Sequence, residues 1–159
     1  MACRPWRSIK LGKLCSVENI RTELKMSGVN IDSWASSVME HPSFVLHDGE
    51  IELNLVRVTL RELGFKESAP YVSIYAHAAE LGLKLCPAEV GPLLRMQYLD
   101  QPEAEKLYIA MMPLITADST FKFIFWLDSE KSARYLRCEF YDEGCSGADA
   151  ELVFVLPSR

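Results

Sequence analysis

Residues 121–127, Phe-Lys-Phe-Ile-Phe-Trp-Leu, are apolar on both sides of an extended chain except at Lys122. Alternate side chains of a strand point to opposite faces, and an exposed edge of such high β-propensity would template aggregation. The run must therefore be a central strand covered on both sides. Residues 106–112, 134–141 and 151–156 also have strand character and are separated by turn-forming or charged stretches. Four strands in sequence predict an antiparallel meander, with Phe121, Phe123 and Phe125 facing the apolar side of a helix over residues 69–81.

The helices are signalled earlier in the chain. Ser16 is a good N-cap for a segment in which Val17, Ile20 and Leu24 recur at helical spacing, ended by Gly28. Asp32 can cap a second helix that Pro42 ends. Pro70 and Gly82 bound a third, whose wide apolar arc predicts a largely buried helix and leaves Ser73, His77 and Glu80 on a narrow polar face. Val90, Leu94 and Tyr98 form a stripe in a fourth segment, which Pro92 either kinks or begins. Between the second and third helices, Phe44 to Leu46 and the alternating Ile51, Leu53 and Leu55 flank Asp48-Gly49, a tight-turn pair that predicts a β-hairpin over residues 44–58. Thr59 and Glu62 match a capping box. The sum is an α+β fold, with helices packed on one face of a mostly antiparallel C-terminal sheet and an additional hairpin. It divides into a separable basic segment, residues 1–15, and a single globular domain, residues 16–159.

Composition narrows the function. With 159 residues, 49% of them hydrophobic, the chain can bury a core without help from a metal or cofactor, and neither is expected. A formal net charge of −5 does not favour nucleic acid, whose binding needs a basic surface. The apolar runs fall far short of the roughly 20 residues that cross a bilayer. Five cysteines with no CxxC pair make neither a disulfide framework nor a zinc signature and fit a reducing compartment, so the expected location is the cytoplasm.

Residues 79–102, AELGLKLCPAEVGPLLRMQYLDQP, together with residues 56–65, VRVTLRELGF, resemble a family of small uncharacterised bacterial proteins. The similarity extends from the N-terminal basic stretch, which includes Lys10-Leu11-Gly12, to Met112, and is weak in the last 40 or so residues. The resemblance implies a bacterial cytoplasmic protein and no particular reaction, cofactor or partner.

The candidate chemistries are few. Cys86 precedes Pro87; if a helix starts there, exposed amides would favour a thiolate, and His77 could serve as its base. Glu89 and the apolar neighbours Leu83 and Leu85 argue instead for a buried, inert thiol. Arg95, Gln97, Tyr98 and Tyr108 are binding candidates, and Tyr98, Tyr108, Tyr135 and Tyr141 would bring their hydroxyls to a pocket rim. Arg4, Trp6, Arg7, Lys10 and Lys13 could contact an acidic partner or RNA, or simply keep a terminus soluble. The reading these residues support first is a binding or protein-interaction module for a partner protein or small ligand. A thiol enzyme built on Cys86 comes next, and a nucleic-acid-associated regulator using the basic N-terminus last.

Overall fold

The computed structural model describes residues 4–116 and 121–158; Cys3 lies outside them. In chain order the elements are β1 (Arg7–Leu11), α1 (Val17–Met26), β2 (Val29–Ile31), α2 (Ser33–Glu40), β3 (Ile51–Thr59), α3 (Tyr71–Glu80), α4 (Val90–Gln97), β4 (Lys106–Ile109), β5 (Leu114–Ile115), β6 (Lys122–Glu130), β7 (Ala133–Phe140) and β8 (Glu151–Leu156). The strands form one eight-stranded mixed sheet in the order β1-β3-β8-β4-β6-β7-β2, with β5 paired to β6 beside this path.

Three sequence expectations are corrected by this order. The sheet is mixed, because β4 and β8 run parallel, as do β2 and β7. The meander stops at β7: the last strand crosses back to lie between β3 and β4. The reason is burial, since Leu152, Val153 and Phe154 are each 0% exposed and a strand apolar on both faces needs neighbours and cover on both sides. The hairpin is absent as well. β3 pairs with β1, not with residues 44–50, and Phe44 turns inward to meet the ring of Phe125.

The pairing of β1 also moves the start of the folded domain. Ile9 and Leu11 are buried, Trp6 donates its backbone N–H to Leu55 at 2.7 Å, and its indole packs edge-on against Tyr98 at 5.2 Å. Residues 7–11 are thus an edge strand, with the Trp6 ring just before it as an aromatic anchor. Deleting residues 1–8 removes that anchor and two of the five residue pairs of the β1–β3 ladder, and is expected to lower the melting temperature by about 5 °C or more for a domain of this size. Thermal unfolding followed by circular dichroism checks it; an unchanged midpoint would mean the strand is dispensable.

Local chemistry sets the helices. Ser16 Oγ accepts from the Asn19 N–H at 3.1 Å, and an Asp32 carboxylate oxygen accepts from the Ala35 N–H at 2.7 Å, satisfying amides that a helix start leaves open. Thr59 and Glu62 form the reciprocal capping box, at 3.0 Å each way, yet only a turn follows. Pro92 falls in the first turn of α4, where its missing amide costs nothing, so the helix begins at Val90, two residues before the proline.

Alternation along β6 places Phe123 and Phe125 on one face of the sheet and Ile124, Trp126 and Asp128 on the other. On the first face Trp34 of α2 stacks on Phe123 at 5.0 Å. Gly91 of α4 sits so close that a Cβ there would lie 2.6 Å from the Phe125 ring, and α1 packs on α4. The helix α3 is on the second face: Tyr75 meets Phe154, and the Tyr71 hydroxyl donates to Glu139, the cross-strand partner of Ile124. The helices are therefore divided between the faces, and Phe123 meets α2 rather than α3. Nor is α3 buried all round; Tyr71, Ile74 and Ala78 face inward while Val72 is exposed.

Candidate functional site

The helix α3 covers only part of the second face. Beyond it, cross-strand pairs line up Tyr108 of β4, Trp126 of β6 and Arg137 of β7. The next pairs set Lys106 against Asp128 and Asp128 against Tyr135. Tyr108 and Trp126 stack with ring centres 5.8 Å apart. The Lys106 ammonium and the Arg137 guanidinium lie 5.6 and 5.7 Å from the Trp126 ring, and Arg137 lies 4.0 Å from Tyr135, all within cation–π range.

Two clefts open on this row. One, of about 410 Å³, is lined by Lys106, Trp126, Asp128, Glu130 and Arg137 among others. The second, of about 360 Å³, is lined by Glu105, Lys106, Tyr108, Ser146, Asp149 and Glu151 with neighbouring alanines. Both include Ala104 and Lys106, so the two adjoin as one trough, whose Glu105 and Glu151 end wraps round the ends of the strands towards Arg57 and Tyr98 on the opposite face. Its carboxylates are engaged: Arg137 Nε donates to Asp128 at 2.9 Å, Arg57 bridges Glu105 and Glu151 at 3.0 and 2.8 Å, and Arg61 meets Asp149 at 3.1 Å. Burial raises the pKa of Tyr108, with further contributions from Cys145 and Asp128, so its hydroxyl stays a donor.

The sequence-derived binding candidates do not gather here. Tyr108 does. Gln97 is exposed at the end of α4. Tyr98 belongs to the opposite face, where its hydroxyl donates to Glu105 at 2.8 Å and accepts from Arg57 at 3.1 Å. Arg95 is 0% exposed and so cannot touch a ligand in solvent. Its Nη1 donates to Gln101 Oε1 at 2.6 Å and to the Asp128 carbonyl at 3.1 Å, and its Nη2 donates to the Tyr98 carbonyl. No carboxylate pairs with it among the described residues, and burial, reinforced by Arg134, lowers its pKa to about 10. Gln101 continues the contacts to the carbonyls of Glu105 and Leu127. Arg95 and Gln101 thus pin the backbone of β6 from beneath the trough.

Cys86 is not at a helix N-cap, because α4 starts four residues later. The thiol is buried, donates to the Val153 carbonyl at 3.3 Å, and is pushed up by desolvation, which opposes a thiolate. His77 lies against Phe65 at 5.2 Å, and no contact joins it to Cys86 among the described residues. The imidazole that shares a cleft with Cys86 is that of His47, in an apolar recess of about 360 Å³ with Val45, Leu46, Met112 and Leu114 in its lining.

Sequence reasoning does not single out Trp126, Lys106 or Arg137. The signal present is the alternation itself: in a strand apolar on both faces, the tryptophan shares its side with Asp128, which points to a face that is not core.

Glu139, under α3, has a pH consequence. Burial and then the nearby Glu143 raise its pKa to about 7 from an ordinary 4.5. Between those values the folded state holds a proton that the unfolded chain releases, so stability falls as pH rises from about 4.5 to 7 and does not recover above it through this group. Glu139→Gln is expected to flatten that slope and raise the urea midpoint at pH 8 relative to the parent. Urea titrations of both proteins at pH 5 and pH 8 test this; parallel pH dependences would rule it out.

Neither the protein-family models nor the curated proteins nor the solved structures compared with this chain gave a match.

Proposed function

We propose that the chain is a binding module whose ligand seat is the trough over Lys106, Tyr108, Trp126 and Arg137. The supporting observation is this row of aromatic and basic side chains, exposed or half-exposed on the part of the sheet face that α3 leaves open. Tryptophan, tyrosine and arginine are the residues that most often carry binding energy, and clefts of a few hundred Å³ suit small ligands. A ligand here would meet side chains held by strands, which are more rigid than a loop-borne site. The sequence likeness described above sets this module in a bacterial cytoplasm.

A fragment screen read by two-dimensional NMR tests the proposal. Bound fragments should shift the amides of residues 106–108, 126–128 and 135–137 and the Trp126 indole N–H. Shifts confined to other surfaces would refute it.

The recess shared by Cys86 and His47 favours a second reading, a thiol enzyme. Alkylation of Cys86 across pH, followed by peptide mass spectrometry, separates the two. The buried, hydrogen-bonded thiol is expected to be at least about tenfold less reactive than Cys15, which is exposed, and to react fully only after denaturation. Rapid alkylation at neutral pH in the folded protein would favour the enzyme. For the nucleic-acid reading, Trp6 is already engaged, with Arg57 and Arg7 4.9 and 5.1 Å from its ring, which removes the one aromatic that the basic segment could offer a base.

A further inference from the structure

Resting on the trough as the ligand seat, the hydrogen-bonding state of its lining points to what sits there. Every carboxylate in the two clefts is met by an arginine: Asp128 and Glu130 by Arg137, Glu105 and Glu151 by Arg57, and Asp149 by Arg61. The unmet groups are donors. Among the described residues Lys106 has no carboxylate within 4.0 Å, and neither the Trp126 indole N–H nor the Tyr108 hydroxyl has a protein partner. Lys106 belongs to both clefts, Trp126 to one and Tyr108 to the other. These donors flank two stacked rings.

We infer that the trough takes a small planar ring bearing a carboxylate, with the carboxylate on Lys106 and the ring against Trp126 and Tyr108. An anionic acceptor gives the ammonium and the indole N–H the charge-assisted bonds that they lack. The flat ring extends the existing stack. Five carboxylates against three arginines make a cationic ring the competing occupant. It is disfavoured because Lys106 and Arg137 already lie 5.6 and 5.7 Å from the Trp126 ring, where a further cation would be repelled.

The probes are 2-naphthoate, its neutral amide 2-naphthamide and 2-naphthylmethylammonium, titrated into the full chain while the indole N–H signals are followed. Trp126→Phe identifies the Trp126 signal. Naphthoate should move that signal saturably and bind about tenfold more tightly than naphthamide. Lys106→Met, at an exposed position, should remove that preference, and Tyr108→Phe should weaken naphthoate about threefold. Equal affinity for acid and amide, tighter binding of the ammonium probe, or naphthoate binding untouched by Lys106→Met would each overturn the inference. If the fragment screen marks the trough while naphthoate leaves Trp126 unmoved, the ligand class falls and the seat stands. If neither marks it, the seat itself is wrong.

Discussion

Replacing Arg95 by Met is expected to destabilise the protein by about 3 kcal/mol, a large fraction of the total for a domain of this size. The substitution keeps the length of the aliphatic stem but removes every donor. It leaves the carbonyls of Tyr98 and Asp128 and the Gln101 side chain without their charged partner in a site closed to water. Each stranded acceptor costs about 1–3 kcal/mol. The loss is offset in part, because a buried guanidinium without a carboxylate is itself expensive, an expense visible in its lowered pKa and in the Nε that finds no acceptor. Arg95→Lys retains a cation but not the planar fork, and should recover less than half of the loss. Equilibrium urea unfolding measures both variants. A change below about 1 kcal/mol for Arg95→Met would mean that the pin is not needed.

Gly12→Ala is expected to cost about 4 kcal/mol. Gly12 has φ +86°, and a Cβ built there would lie 1.9 Å from the carbonyl oxygen of Gly49. The new methyl and the turn at Gly49 cannot both stay in place. Movement of either breaks the buried carboxylate of Glu89 away from the Gly12 N–H at 2.9 Å or the His47 N–H at 2.7 Å, the two contacts that bind the end of β1 and residues 44–50 to the start of α4. Gly28 supplies the control: it has φ +76°, and a methyl added to it would have nothing within 4 Å, so Gly28→Ala reports backbone strain alone, about 1–2 kcal/mol. Thermal and urea unfolding of the two variants side by side measures the difference. Equal losses would show that the close approach at Gly49 carries no energy.

What can be read from the sequence follows the range of the interactions. Ser16, Asp32 and the Thr59–Glu62 box act within three or four residues, and each makes the predicted contact. The strand character of residues 121–127 is legible because no other environment accepts that composition. Strand order is not, since β1–β3, β3–β8 and β4–β8 join residues 40 or more positions apart. Pairing of neighbours is the natural expectation. Asp48-Gly49 misleads for a related reason: the glycine serves the crossing with Gly12 rather than a hairpin. Arg95 looks like a ligand group because an arginine in the last turn of a helix usually faces water; only the carbonyls brought to it by β6 and the chain after α4 make it structural. Tyr108 is legible as a half-polar aromatic, whereas its companions Trp126 and Arg137 become a site only when β4, β6 and β7 are set side by side.

The central claim, that ligands are seated on the open sheet face, is tested most directly by running one fragment screen on three proteins: the parent, the double variant Lys106→Met/Trp126→Phe, and Met112→Ser in the recess beside Cys86. The account predicts that fragments bound by the parent lose at least about tenfold in affinity in the double variant and bind Met112→Ser unchanged. Fragments that keep their affinity for the double variant and lose it for Met112→Ser would contradict it and move the site to the recess of Cys86 and His47.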